Sequence, residues 1–591
     1  MKDFLKYTLA TVIGMVIFAV VIGIIGVISM MGMVASQEAT TVVKEKSVLV
    51  LPLSGMFSER AEDNPFASMV GGAAESIGLD EVLNAVKRAK EEEDIKGIYI
   101  EAGLFSPDTP ASSQAIRKAL VDFKKSGKWI VAYGDQYTQT SYYIASVADE
   151  VMLNPIGIVD WHGLSAQPMF YKDLLSKVGV KMTVVKVGKF KSATEAFTED
   201  RMSDANREQT SIYITGIWNS MVGDVAASRK LPVAKLNEYA DSLVTLSDAK
   251  SLLQKKLVDK LVYTDEVKAE IKKRLGIDKD DDINQMSITD MNNLPKKKNK
   301  SDNEVAVYYA YGDVVDSEIG ASGPTICGST VSKDLEALMD DDDVKAVVLR
   351  VNSPGGSAYA SEQIWNAVRK LKAKKPVVVS MGGYAASGGY YISCAANYIV
   401  AEPTTLTGSI GIFGIIPDVS ELMTEKLGLK FDVVKTNKYS DFGTLSRPMN
   451  AEEIALLQGN VNRGYSLFLQ RVADGRKMAK ADVHEIAQGR VWLGKDALKL
   501  KLVDALGGID EAIAKAAALA NVSSDYKTKS YPSAPDFFDQ LMSSISGDSG
   551  NYLDEKLKAT LGEYYEPVMT LKNIKGQNTL QARMPYHLII K

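Results

Sequence analysis

Pro376-Val377-Val378-Val379-Ser380 runs directly into Met381-Gly382-Gly383-Tyr384-Ala385-Ala386-Ser387-Gly388-Gly389-Tyr390-Tyr391. The first five residues form a short apolar run rich in β-branched side chains, the pattern of a parallel strand buried on both faces. The apolar positions that follow, Tyr391, Ile392 and Ala395, have helical spacing. Ser387 therefore sits on a turn of small residues between a strand and a helix, where backbone can approach a ligand closely. N–H groups left free at a helix start would meet developing negative charge. Such a turn suits a serine nucleophile, and taken alone it suits an ordinary tight turn as well.

The same alternation of strand and helix occurs twice. Early in the chain, Ser47–Leu51 reads as a strand, 79–92 as a helix, Gly97–Glu101 as a strand, 111–125 as a helix and Trp129–Tyr133 as a strand. This is the signature of βαβ units and a mainly parallel α/β sheet. Asp94-Ile95-Lys96-Gly97-Ile98-Tyr99 then answers Asp343-Val344-Lys345-Ala346-Val347-Val348. Tyr142-Tyr143-Ile144 answers Tyr390-Tyr391-Ile392, and Lys256-Leu257-Val258-Asp259 answers Lys501-Leu502-Val503-Asp504. Gly179–Lys186 answers Gly428–Lys435 in the same way. A constant offset over this distance predicts two tandem copies of one α/β domain. The expected division is an N-terminal segment over 1–46, a first domain over 47–276, a solvated linker over 277–303, a second domain over 304–521 and a tail over 522–591.

A chain of 591 residues is too long for one core. Its net charge of −5 gives no basic footprint, so nucleic acid is not an expected partner. Two cysteines, Cys327 and Cys394, are too few for a zinc site or a disulfide framework, and free thiols are expected. No metal, nucleotide or other cofactor motif is present. Tyr7–Met33 is almost uninterrupted apolar sequence, long enough to cross a bilayer with some tilt. Lys2 and Lys6 precede it, which predicts a retained single-pass anchor with the remaining chain on the extracytoplasmic side.

The copies are unequal. Ala386-Ser387-Gly388-Gly389 of the second faces Thr138-Gln139-Thr140-Ser141 of the first, and Asn352-Ser353-Pro354-Gly355-Gly356-Ser357 faces Gly103-Leu104-Phe105-Ser106-Pro107-Asp108. The second copy thus holds two glycine turns at the ends of parallel strands, where open α/β sheets place their sites. The N–H of Gly388 and that of Gly355 or Gly356 would form an oxyanion hole, each donor contributing about 3–4 kcal/mol in a transition state. The three histidines, His162, His484 and His587, lie outside the glycine turns. A base for Ser387 is therefore sought elsewhere. Lys191 follows the expected strand Thr183–Val187, and the aligned stretch Lys438-Tyr439-Ser440-Asp441 has no lysine at that place. Burial can hold a lysine neutral enough to take a proton. Spacing alone fits equally a surface lysine clustered with Lys186 and Lys189.

Asn352–Gly356, Tyr384–Tyr391, Leu406-Thr407-Gly408-Ser409-Ile410-Gly411 and Lys191–Phe197 together resemble the long, two-copy form of the signal peptide peptidase A family, peptidase family S49. The resemblance reaches from the anchor to about residue 520. It implies two tandem ClpP/crotonase-like domains and a Ser-Lys dyad, with Ser387 as nucleophile and Lys191 as general base. Ser192, Ser409 and Tyr384 become candidates to orient Lys191 or line the pocket. It further implies a homotetramer on the inner (cytoplasmic) membrane, its catalytic domains periplasmic, in contact with membrane lipid and acting on hydrophobic peptides such as cleaved signal peptides. Ala196 stands where the family usually has proline. An acyl-CoA enzyme of crotonase type and a non-catalytic membrane scaffold are the alternatives with the same fold.

Overall fold

The computed structural model describes residues 41–61, 77–295, 301–318, 323–444, 446–533 and 580–584, with scattered positions before residue 22. Each copy is built on its own sheet. In the first, Ile77–Gly78, Ser47–Ser58, Ile95–Ser106, Trp129–Tyr137, Glu150–Val159 and Lys260–Leu261 lie side by side. All of these pairs are parallel. In the second, Glu304–Tyr311, Val344–Ser353 and Val377–Ala386 form the parallel centre. Tyr398–Ala401 and Leu406–Gly408 both add to Val377–Ala386. The strand residues are nearly all buried, as continuous apolar runs between helical layers should be.

The duplication extends to single hydrogen bonds. Tyr142 donates its hydroxyl to the Leu257 carbonyl at 2.7 Å, and Tyr390 donates to Leu502 at 2.8 Å. Asp259 pairs with Arg229 and accepts from Val151 N–H; Asp504 pairs with Arg476 and accepts from Ile399 N–H. These buried groups must be satisfied in either copy, which accounts for their repetition in sequence.

A third sheet joins the copies. Its order is Thr325–Cys327, Asp313–Val315, Gly355–Ser357, Gln581–Arg583, Phe413–Asp418 and Lys181–Lys186. Lys181–Lys186 of the first copy runs antiparallel to Phe413–Asp418 of the second, from Lys186 opposite Phe413 to Lys181 opposite Asp418. The aligned stretch 428–435 forms no strand, and Leu429, Phe431, Val433 and Val434 are exposed. Strand pattern alone does not supply a partner, and within this chain the stretch has none among the described residues.

Two expected boundaries change. The segment 277–303 is not simply a solvated linker. Gln285–Met286 adds to Ser47–Ser58, and Ile288, Met291 and Leu294 are buried in the first core. The tail is not all outside the fold either, because Lys527–Tyr531 extends the second sheet beside Glu304–Tyr311. Among the described residues no helix is long and apolar enough to cross a membrane. Most of Tyr7–Met33, read above as a span, lies outside those residues.

Candidate active site

The strand Val377–Ala386 and the helix Gly388–Ser393 meet at Ser387, which has φ 54° and ψ −111°. Non-glycine residues rarely adopt such a conformation, and it costs on the order of 1–3 kcal/mol. Two backbone bonds hold it: Ser387 N–H donates to Gly408 O, and Tyr391 N–H donates to Ser387 O, both at 2.8 Å. Ser387 is fully buried.

Lys191 reaches this serine from the other copy. Lys181–Lys186 carries the chain along Phe413–Asp418, and Gly188 turns it inward with φ +98°. Any side chain at Gly188 would collide with the Gln488 carbonyl. Phe190 N–H then donates to Gln488 O at 3.0 Å, so a loop of the second copy cradles the lysine backbone. Lys191 Nζ lies 2.7 Å from Ser387 Oγ, 3.0 Å from Ser409 O and 3.0 Å from Ser409 Oγ. A neutral amine has two N–H donors and one lone pair, which fit the two Ser409 oxygens and the Ser387 hydroxyl proton. Lys191 is 0% exposed, and burial pushes its amine well below the ordinary lysine range.

The glycines differ in what they do. A Cβ on Gly355 would collide with Ala582 O and stand 2.7 Å from Gly388 N, while one on Gly388 would stand 3.1 Å from Ala582 O. Both positions therefore leave room for a peptide carbonyl. The Gly355 N–H itself donates to Ser353 Oγ at 3.1 Å. Gly356 is pressed against Val314 of the adjacent strand, so its missing side chain serves strand packing.

Of the three supporting candidates, only Ser409 bonds Lys191. Ser192 Oγ accepts instead from Gln209 Nε2 at 2.9 Å. Tyr384 donates its N–H to Asn352 Oδ1 and packs its ring on the first core. His162 pairs with Asp160, and His484 bonds Tyr465 OH; His587 lies outside the described residues.

Two positioning residues were given no role in the sequence reading. Gln209 donates to Phe190 O and Ser192 Oγ and accepts from Val491 N–H, tying the lysine loop to the second copy. Glu195, buried, accepts from Ser203 N–H, Ser203 Oγ and Asn206 Nδ2, which anchors the loop's far end. Glu195 lies within Lys191–Phe197, a stretch quoted above for the family resemblance, whereas nothing in the sequence marked Gln209, 18 residues beyond Lys191.

The profile of peptidase family S49 matches residues 122–278 and 369–523, one segment in each copy. A Clp protease profile matches 323–405. Protease 4 of Salmonella typhi is 37% identical over 92% of this chain and 89% of its own length. The chloroplastic serine protease SPPA of Arabidopsis thaliana is 30% identical over 88% of this chain and 76% of its own. A putative signal peptide peptidase SppA of Enterococcus faecium is 37% identical over 30% of this chain and 52% of its own. With both copies matched and similarity running almost end to end, the chain belongs to peptidase family S49 and is a serine protease.

Proposed function

We propose that this protease is a membrane-tethered Ser-Lys endopeptidase that degrades hydrophobic peptides, among them the remnants of cleaved signal peptides. The observation that carries the proposal is the 2.7 Å separation of Lys191 Nζ and Ser387 Oγ, both side chains fully buried. Neutral Lys191 takes the proton of Ser387, and Ser387 Oγ attacks a peptide carbonyl. Gly388 N–H receives the oxyanion, with Gly355 N–H as second donor once released from Ser353 Oγ. Protonated Lys191 then gives its proton to the leaving amine, and water hydrolyses the acyl-enzyme.

Several features support the surroundings of this reaction. The described residues Tyr7, Ile13, Met15, Ile17, Phe18 and Val21 are helical and exposed, as an apolar face toward lipid would be. With Lys2 and Lys6 before it, this stretch favours a single-pass inner-membrane anchor and a periplasmic site. The name of the Enterococcus faecium relative favours signal-peptide remnants as substrate. For assembly, the exposed stretch 428–435 repeats Lys181–Lys186, whose partner is Phe413–Asp418. The matching place in the first copy is 164–169, which carries a single bridge residue, Ala166, and no longer strand. Pairing 428–435 of one chain with 164–169 of the next is a head-to-tail contact, the kind from which a ring such as the proposed homotetramer is built.

A fluorophosphonate probe and a hydrophobic fluorogenic peptide test the dyad together. Labelling and turnover are expected in the parent and in neither Ser387→Ala nor Lys191→Arg, since arginine stays charged. Appreciable turnover by Lys191→Arg removes the lysine from the base role. Val434→Asp is expected to shift the detergent-solubilised oligomer toward monomer in light scattering; an unchanged mass rules out the pairing through 428–435.

A further inference from the structure

One aromatic ring faces the amine of Lys191. Nζ lies over the Phe413 ring, 6.0 Å from its centroid. Phe413 is 5% exposed, so ring and amine are buried together. A single stretch, Ser409–Phe413, follows the lysine from stem to head. A Cβ on Gly411 would stand 3.2 Å from Lys191 Cδ, and Ser409 accepts from Nζ with its carbonyl and its hydroxyl. The ring is held by the same sheet that delivers the lysine. Phe413 pairs with Lys186, and Val187 N–H donates to Ile412 O at 3.2 Å.

Proton transfer changes what this pocket must hold, because the neutral amine becomes an ammonium. Buried charges are as a rule paired with an opposite charge. Among the described residues no charged group acts on Lys191, and burial alone lowers its pKa. Ser387, Ser409, Gly411 and Gly489 stand against its side chain, and none of them is charged. The charged neighbours Lys189 and Arg490 lie over the Phe190 ring instead, and Arg490 pairs with Glu208. What meets the new charge is the negative face of an aromatic ring, an attraction that strengthens when both partners are desolvated. In the first copy Leu164 stands at the place of Phe413 and Gln139 at the place of Ser387. The ring occurs only in the copy that holds the dyad.

We infer that Phe413 is a positioning residue for the reaction, its ring steadying the ammonium that Lys191 becomes on taking the Ser387 proton. The inference rests on the Ser387–Lys191 peptidase reading above. The Ser387 O–H bond breaks as Oγ attacks the peptide carbonyl, and a new N–H bond forms on Nζ. The same proton then passes to the leaving amine. Phe413 gives and takes no proton; it lowers the energy of the charged lysine between these two transfers.

PH–rate profiles on a hydrophobic fluorogenic peptide test this with the full-length parent, Phe413→Leu, and chains carrying 4-fluoro- or 3,4,5-trifluorophenylalanine at position 413. Fluorine draws electrons from the ring face at nearly unchanged shape, so the fluorinated chains carry the test even if the leucine variant fails to fold. An ammonium without the ring gives up its proton sooner. The acid limb of kcat/KM should therefore move to lower pH stepwise with fluorination, by about 0.5–1 pH unit for the trifluoro ring. Plateau kcat should fall about two- to fivefold, with KM nearly unchanged. A limb that stays in place or moves upward on fluorination, in a parent that hydrolyses the peptide, overturns the inference and leaves the peptidase reading standing. A limb moved by Phe413→Leu alone does the same, since that is a packing effect. A parent without turnover, or one whose turnover survives Lys191→Arg, sinks both.

Discussion

Arg350 Nε and Glu59 Oε1, 291 residues apart in the chain, are 2.6 Å apart in the fold, and both side chains are 4% exposed. Asn352 Nδ2 donates to the same carboxylate at 3.0 Å, and its Oδ1 accepts from Tyr384 N–H. The network thus pins the end of the strand Val344–Ser353, just before Pro354-Gly355, to the first copy. A dyad shared between copies needs such a fastening, because a shift of either half separates Lys191 from Ser387.

Glu59→Ala should therefore lower stability by about 3–5 kcal/mol, since it leaves the Arg350 guanidinium buried without its carboxylate. The double variant Glu59→Leu, Arg350→Met should recover most of that loss. Urea midpoints of the three proteins check the prediction, and a single variant as stable as the parent contradicts it.

Burial of Lys191 should act against the fold at neutral pH. Its folded pKa lies well below 10.5, so between the two values the folded chain binds fewer protons than the unfolded chain. Stability then rises with pH across that window as the unfolded lysine loses its proton too. Lys191→Met should melt higher than the parent near about pH 7, with the gap closing toward about pH 10. Turnover of the parent should climb with pH through the depressed value, because only the neutral amine serves as base. Melting curves across pH for parent and variant, with a pH–rate profile, measure both.

The two domains were readable because their repeated residues answer local demands. Tyr142 and Tyr390 each need a buried acceptor, and Asp259 and Asp504 each satisfy a strand N–H. Ser387 and Lys191 stood out because one copy has what the other lacks. Partner choice was not readable. Nothing in Phe413–Asp418 names Lys181–Lys186 as its neighbour, and nothing in 428–435 says that it lacks one among the described residues. Glu59 and Arg350 are single charges with no period. Gln581-Ala582-Arg583 has one apolar residue in three, below any pattern that marks a strand, and its pairing depends wholly on a groove made elsewhere.

Gly489→Ala should disable the site without unfolding the chain. Gly489 has φ +79°, and a Cβ there would stand 2.6 Å from Lys191 Cβ and N. The lysine backbone must retreat, and a displacement of about 1 Å at a reacting group costs about 100-fold in rate. Gly127→Ala is the control, with φ +81° but open space around it. It should share the stability loss of about 1–2 kcal/mol from left-handed backbone and keep its kcat.

Ser409→Ala should slow the enzyme less. It removes one of the two acceptors that aim Lys191 Nζ and keeps the other, the backbone carbonyl. Loss of one hydrogen bond of about 1.5 kcal/mol predicts a fall in kcat of about tenfold, with KM nearly unchanged. Steady-state kinetics separates this from the complete loss expected of Ser387→Ala.

Glu402 should make the fold sensitive to pH from the carboxylate side. It is 3% exposed, and burial raises its pKa above 4.5 against the opposing pull of Lys118 and Arg350. The folded chain therefore binds more protons than the unfolded one between 4.5 and the raised value. Its contribution to stability is complete below 4.5 and is lost as pH rises through that value. Glu402→Gln keeps the shape without the charge, so it should melt above the parent at neutral pH and match it in acid. A variant less stable than the parent at neutral pH would mean that the ionised carboxylate, through Lys118 and Arg350, holds the two copies together more than its burial strains them.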